Sequence, residues 1–408
     1  MRCGAGVVAI VDPYDAGVML GPACRERGAE VIAVRGRAEM PVSRGEWLDA
    51  PVFSATVHHR GNVSETTERL RALGVGVVMA GSEWGVNLAD HLSEALDIPS
   101  NGTRLSLARR NKFQMIEAVG AARLRVPAQF QSSDLGPMLR WLPQHWPAVL
   151  KPLNAASSDG VRLCRSEEEA GAAFQAIIGK TNVMALVNES VLAQEFISGD
   201  EYVVDTVSWE GRHSPAGFWR YGKPEPAYST VGVFDTKELL PADGVLQRQL
   251  FEYVAGVLDA LDIRYGPAHC EVKVDDEGPV LIEMGARLHG GPKAHQMSRA
   301  AAGSSQFDLM VQAYLDPLGF LAAVENPRAV QRTAVMLLLR PHGSGTPRAA
   351  AIKEVEKLPS FHELSCSAPI GHTPPPVAAL LVLIHSDRVV VERDLSFVRH
   401  LHEDGLFD

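Results

Sequence analysis

The stretch CEVKVDDEGPVLIEMGARLHGG, Cys270–Gly291, carries two glutamates, Glu271 and Glu283, each at the end of a short apolar run. EVKV (Glu271–Val274) alternates, DDEGP (Asp275–Pro279) has turn chemistry, and VLIE (Val280–Glu283) returns, so the segment reads as a β-hairpin. A turn centred on Glu277 places Glu271 directly opposite Glu283. Opposed residues on antiparallel strands have Cβ atoms about 4.5–5.5 Å apart, and like charges there are destabilising. A divalent cation is the usual compensation, because Mg²⁺ is held by one or two carboxylates together with substrate phosphates. A shared proton, or two solvated glutamates on an exposed hairpin, are the other readings of this segment taken alone.

The rest of the chain sets the frame. It has 408 residues, enough for two or three domains, with 46% hydrophobic and 22% charged residues as in ordinary globular proteins. The net charge of −10 argues against nucleic acid as the main partner, since phosphate backbones need a basic surface. The five cysteines, Cys3, Cys24, Cys164, Cys270 and Cys366, have no metal-type spacing and read as reduced thiols. The N-terminal apolar run is short and meets Asp12 at once, so it reads as a buried strand and not a signal peptide. No segment approaches the ~18 apolar residues of a membrane span. The expectation is a soluble cytoplasmic protein without a membrane partner.

The first hundred residues alternate strand and helix. GVVAIVD (Gly6–Asp12), AEVIAVRG (Ala29–Gly36) and VGVVMAGSE (Val75–Glu83) are continuous apolar runs, as parallel strands buried on both faces require. The dinucleotide fingerprint G-x-G-x-x-G is absent after the first strand. From about residue 103 the pattern changes. TRLSLARRNKFQMIEAVGAARLRVPA reads as a helix carrying Arg109, Arg110 and Lys112. A string of strands and a long amphipathic helix, ADGVLQRQLFEYVAGVLDALDIRYG, lead to the hairpin, and a small α+β tail domain follows from about Arg328.

VLKPLNAASSDGV (Val149–Val161) ends an apolar strand at Lys151 and continues into a loop of small residues that includes Ser157, Ser158 and Gly160. Such a loop lets backbone N–H groups approach phosphate oxygens, and the lysine adds a point charge. It is not a Walker loop, and a plain hairpin loop looks similar. In AQEFISGDEYVVDT (Ala193–Thr206), Gln194, Glu195, Phe196 and Ile197 end one strand, and Glu201 begins the next. A strand end of this kind offers backbone groups to an adenine edge, and Glu201 suits ribose hydroxyls; an ordinary hairpin with polar tips is the bland alternative.

Taken in order, the helix lysine, the strand lysine with its loop, QEFISGDEY, the long helix and EVKV…LIEMGAR resemble the ATP-grasp superfamily over roughly residues 1–330. The tail, FWRYGKP (Phe218–Pro224) and ELLP (Glu238–Pro241) resemble its L-amino-acid ligase branch of dipeptide synthases, which is similar to carnosine synthase. The resemblance implies a Rossmann-like pre-ATP-grasp α/β domain over 1–102. It implies an ATP-grasp fold of two α+β subdomains clamping ATP, a lid subdomain at 103–192 and a large subdomain at 193–327, and then a C-terminal α+β domain at 328–408.

It also implies roles. Lys112 and Lys151, with Ser157, Ser158 and Gly160, bind ATP phosphates. Gln194, Glu195, Phe196 and Ile197 form the adenine hinge, and Glu201 holds the ribose. Glu271 and Glu283 ligate Mg²⁺, or Mn²⁺ in its place. Arg287 stabilises an acyl phosphate, and Gly290 admits substrate close to the backbone. Trp219, Tyr221 and His289 are expected around the substrates, an amino-acid carboxylate and an amine, although core-packing aromatics on a loop would look the same. The implied reaction makes a peptide bond through an acyl phosphate and releases ADP and phosphate, with Ala155–Gly160 as the moving lid. Another ATP-grasp ligase of primary metabolism, of purine-biosynthesis or carboxylase type, and a non-catalytic nucleotide-binding module are the alternatives. A homodimer is compatible with the resemblance. One position departs from it: the family usually has Asn two residues after the second metal glutamate, and this chain has Gly285.

Overall fold

Four apolar runs build the first layer: β1 (Val7–Val11), β2 (Glu30–Arg35), β3 (Ala55–His58) and β4 (Val75–Ala80). They pair in parallel in the order β3-β2-β1-β4. Val8 and Ile10 pack into one core while Ala9 and Val11 pack into another, which is why β1 is apolar throughout. The strand order reverses between β1 and β4, and a short 3-10 turn, Glu83–Gly85, stands beyond the carboxyl end of β4. Open α/β sheets bind ligands at this kind of switch point. The computed structural model describes residues 6–36, 52–222, 234–324, 332–340, 346–366 and 377–407.

A second, antiparallel sheet comprises β5 (Gln129–Ser132), β6 (Ala148–Pro152), β7 (Arg162–Cys164) and β8 (Val191–Glu195), in the order β5-β8-β6-β7. Leu150 and Ala193 pack beneath the helices Leu135–Trp141 and Glu167–Ile177. The third sheet is the largest. Its strands are β9 (Asp200–Trp209), β10 (Arg212–Gly222), β11 (Thr236–Leu240), β12 (Gly266–Asp275), β13 (Gly278–Gly285), β14 (Thr333–Leu339), β15 (Phe361–Cys366) and β16 (Ala379–His385). All pairings are antiparallel, in the order β13-β12-β9-β10-β11-β14-β16-β15. The helices Lys112–Ala121 and Val245–Ala260 cover one face, with Leu250, Val254 and Val257 against Cys270, Val272 and Leu281. The other face is the floor of the cleft described below.

Four sequence expectations change. The helix at 112 starts later than its run of charges suggests: Asn111 caps it by accepting from the Gln114 N–H at 3.1 Å, so Arg109 and Arg110 precede it. The hairpin turn is the two-residue Asp276–Glu277, because Asp275 pairs with Gly278. That register alone would set Glu271 against Ile282, and a bulge restores the Glu271–Glu283 pairing. The division expected at 193 falls inside β8, whose partners β5 and β6 keep it in the small sheet through Glu195. Finally, the tail is no separate sheet. Lys237 of β11 pairs with Met336 of β14, and the tail strands extend the large sheet, which covers an otherwise open edge.

Among the described residues, Cys24, Cys164 and Cys270 are buried free thiols and Cys366 is an exposed one; Cys3 lies outside the described residues, as do Lys223 and Pro224 of FWRYGKP. No described helix is long and apolar enough to cross a membrane.

Candidate active site

Alternation along β12 puts His269, Glu271 and Lys273 on one face and buries Cys270 and Val272 on the other. Registration with the neighbouring strands turns this face into transverse rows. Lys273, Glu201, Tyr221 and Lys237 form one row across β12, β9, β10 and β11. Glu283, Glu271, Val203, Trp219 and Leu239 form the next. Gly285, His269 and Asp205 form a third. Over these rows, between the large sheet, the small sheet and the end of β4, lies a cleft of about 230 Å³.

The two predicted lysines meet there. Lys112 is buried at the first turn of its helix, and its Nζ donates to the Ala155 carbonyl and to Glu283 Oε1, each at 2.8 Å. Lys151 points in from β6, and its Nζ donates to Gln194 Oε1 at 2.8 Å. Burial lowers its pKa to about 8, with Lys112 adding to the shift and Glu283, Glu271 and Glu201 opposing it. Gln194, which lines the cleft, is itself buried, and its Nε2 is a buried amide donor with no partner.

Ser157 and Ser158 both adopt left-handed backbone conformations, with φ of 58° and 57°, and both line the cleft. Non-glycine residues enter this region at a cost of roughly 1–3 kcal/mol, and they cluster at binding loops. Gly160, also left-handed, follows them but stands off the cleft wall. Just beyond β8, Lys273 Nζ donates to the Ile197 carbonyl at 2.7 Å and lies 4.5 Å from the centre of the Phe196 ring. The Glu195 carboxylate turns away and accepts from the Ala128 N–H at 3.0 Å. Glu201 is set at the cleft by the turn before it. A Cβ at Gly199, where φ is +89°, would lie 2.0 Å from the Val274 carbonyl oxygen, so only glycine lets that turn pack on β12.

Glu271 and Glu283 face each other at the far side. Burial pushes the Glu271 carboxyl upward, but His269, Arg287 and Lys112 outweigh it and hold the group below its ordinary range. Two facing carboxylates present the hard oxygen ligands that a divalent cation such as Mg²⁺ takes, and so fit one. Arg287 stands beside them, with Nε donating to Glu83 Oε2 at 2.7 Å and Nη1 to the Leu288 carbonyl at 2.8 Å. Glu83 also pairs with Arg110. A Cβ on Gly285 would lie 3.1 Å from Glu83 Oε2 and 3.3 Å from Arg287 Cζ. The space where the family's Asn would stand is therefore taken by a carboxylate from the first layer.

Behind Arg287 lies a buried polar chain. Asp205 accepts from His269 Nδ1 at 2.7 Å, His289 Nδ1 at 2.8 Å and Trp219 Nε1 at 2.7 Å. His289 Nε2 lies 2.9 Å from Lys237 Nζ and 3.3 Å from the Tyr221 hydroxyl. Tyr221, His289 and Gly290 line the cleft as expected, but Trp219 does not. It sits under the helix Pro292–Ala302 with Met297 and Leu239, because that helix covers the Val203–Leu239 end of its row. Arg220, on the opposite face of β10, pairs with Glu238 at 2.6 Å.

Sequence reading missed Glu83, Lys237, Lys273, His269 and Asp205. Polar residues at every second position of AHCEVKV were a legible signal for His269 and Lys273. Nothing local marks Glu83 or Lys237.

Residues 144–295 match the family model described as an ATP-grasp domain. The chain is 32% identical over 320 residues to dapdiamide A synthase of Enterobacter agglomerans, a match covering 77% of this chain and 74% of that one. Its fold resembles an L-amino acid ligase from Bacillus licheniformis, with a TM-score of 0.75 at 19% identity over 98% of this chain and 97% of the other. It also resembles an Aspergillus clavatus carboxyaminoimidazole ribonucleotide synthase complexed with ATP, with a TM-score of 0.70 at 16% identity over 98% of each chain.

Proposed function

Because this chain belongs to the ATP-grasp family, in its L-amino-acid ligase branch, we propose that it joins the carboxylate of one amino acid to the amine of another, or to another amine, with cleavage of ATP to ADP and phosphate. The chain is a carbon–nitrogen ligase, which sets aside the non-catalytic nucleotide-binding module. The observation that carries the reading is the convergence of Lys112, Lys151, Glu271, Glu283 and Arg287 on one cleft.

A carboxylate is a poor acyl donor because its leaving group is an oxide. Phosphorylation replaces that oxide with phosphate. The transferred phosphoryl group spreads charge over its oxygens, and fixed cations and oriented N–H groups stabilise it. Lys112, Lys151 and the Ser157–Ser158 backbone are placed for the phosphates. Gln194 and the backbone of Glu195, Phe196 and Ile197 would meet the base, and Glu201 the ribose. Glu271 and Glu283 would hold the divalent ion, Mg²⁺ or Mn²⁺, which supplies positive charge to the phosphates when bound. Arg287, held by Glu83, is placed for the substrate carboxylate, with Gly290, Tyr221 and His289 around it. Ala155–Gly160 is the segment placed to shield the acyl phosphate from water.

The test is an ADP-release screen over pairs of amino acids and simple amines, with mass identification of products. Amine-dependent ADP release with a condensed product is expected. Its absence with every pair would sink the ligase reading.

A further inference from the structure

We propose that Lys237, held by His289, is the group that takes the proton from the incoming ammonium and so frees the amine that attacks the acyl phosphate. The proposal rests on the ligase reading above.

The geometry begins at Asp205. A carboxylate only accepts hydrogen bonds, so the 2.8 Å contact fixes the His289 proton on Nδ1 and leaves Nε2 as an acceptor. Nε2 then receives Lys237 Nζ at 2.9 Å. The His289 N–H is tied to Gln306 Oε1 at 2.7 Å, and its carbonyl accepts from His295 Nε2 at 3.0 Å. The imidazole is thus fixed by backbone and side chain, and it aims the lysine into the cleft next to Arg287 and Gly290. Lys237 also lies over the Tyr221 and Phe234 rings, at 5.0 and 5.2 Å from their centres.

The surroundings suit a base. Burial lowers the Lys237 pKa to about 8; Asp205, Glu271 and Asp15 oppose this, and Arg287 adds to it. Burial also keeps His289 well below its ordinary value, with Lys237 and His269 lowering it further and Asp205 opposing, so the imidazole stays a neutral acceptor. The α-amino group at a chain terminus has an ordinary pKa of about 7.7–8.0, and that of a free amino acid lies higher because its own carboxylate stabilises the ammonium, so the amine enters protonated and needs a base. A base brought down toward the operating pH is the kind that general-base catalysis uses most effectively.

The step balances as follows. Neutral Lys237 takes one proton from R–NH₃⁺ and becomes a cation. The freed lone pair forms the C–N bond, the C–O bond to phosphate breaks, and its electron pair leaves with the phosphate. The second nitrogen proton departs on that phosphate.

The experiment uses two nucleophiles on the full chain, with ATP and a mixture of the common amino acids as acyl donors. Hydroxylamine is unprotonated at neutral pH and needs no such base; its hydroxamate reports acyl-phosphate formation. Wild-type hydroxamate formation tests the ligase reading first and separately. Lys237→Arg keeps the cation but does not deprotonate. It should lose about 100-fold or more of dipeptide formation while hydroxamate formation changes by less than about threefold. Lys237→Gln is the second variant and should behave alike, with calorimetric ATP binding reporting the fold of each. Wild-type dipeptide rates in Lys237→Arg, or equal losses with both nucleophiles, would overturn the assignment.

Discussion

Glu83 Oε2 accepts from Arg287 Nε at 2.7 Å, and this contact joins the end of β4 to the segment that follows the metal-type hairpin. Residues 204 positions apart in the chain thus form one wall of the cleft. Gly285 leaves room for the contact, since a Cβ there would press on both partners, at 3.1 Å from Glu83 Oε2 and 3.3 Å from Arg287 Cζ.

Gly285→Asn should therefore lower ATP turnover by about tenfold or more, because the new side chain displaces Glu83 and with it Arg287; a misplaced group costs this much when geometry sets the rate. Thermal unfolding should move little, since the position borders open cleft. Steady-state kinetics at saturating ATP checks it, and wild-type turnover in the variant would refute the role assigned to Gly285.

Glu283→Gln should abolish turnover while the far-ultraviolet circular dichroism stays unchanged. Chelation of divalent ions should do the same to the wild type, and Mg²⁺ should restore it. Glu271→Gln should match Glu283→Gln, because each carboxylate is half of one facing pair. Full activity in either variant removes the metal assignment.

Lys151 titrates near pH 8 in this cleft. Its charge is present below that pH and lost above it, so ATP affinity should weaken as pH rises from 7 to 9. Lys151→Arg keeps its charge throughout and should flatten the profile, whatever its absolute affinity. Calorimetric titration at three pH values decides; a parallel decline in both proteins would assign the effect to another group.

At the hairpin tip, Arg125 grips Asp275 with two hydrogen bonds of 2.7 and 2.8 Å. The contact lowers the Asp275 pKa to about 2, below the ordinary ~3.9 of an unfolded aspartate. A depressed carboxyl stabilises the fold above its unfolded pKa and loses that contribution as pH falls toward its folded one. Asp275→Asn should thus melt lower than wild type at pH 7, with the difference closing between about pH 4 and pH 2. A constant gap across that range would contradict the assignment.

Trp219 was expected at the substrate and lies in the core, where it donates to Asp205. Trp219→Phe removes a buried hydrogen bond and should destabilise by about 1–3 kcal/mol, measured by urea denaturation. Substrate KM values should stay within about twofold, since Trp219 does not itself line the cleft; a large KM change with intact stability would restore it to the site.

Much of this protein was determined by its sequence. Apolar runs with no polar face made β1, β2 and β4 a buried parallel layer, and period-two alternation put Glu271 on one face of β12. Turn residues at Asp276–Glu277 closed the hairpin, and the ordered lysines, hinge and glutamates pointed to ATP. These signals are local, because each depends on residues within one or two elements. Tertiary structure decided the rest. A bulge, invisible in the spacing, set the two glutamates face to face. Registration across four strands brought Lys237 and Lys273 into one row with Glu201, and cross-strand partners leave no mark in either strand's own sequence. The tail became part of the large sheet because β11 had an open edge for it. Glu83 entered the site because a residue 202 positions later, Gly285, has no side chain to exclude it; packing between distant elements is a property of the pair, and neither segment alone carries it.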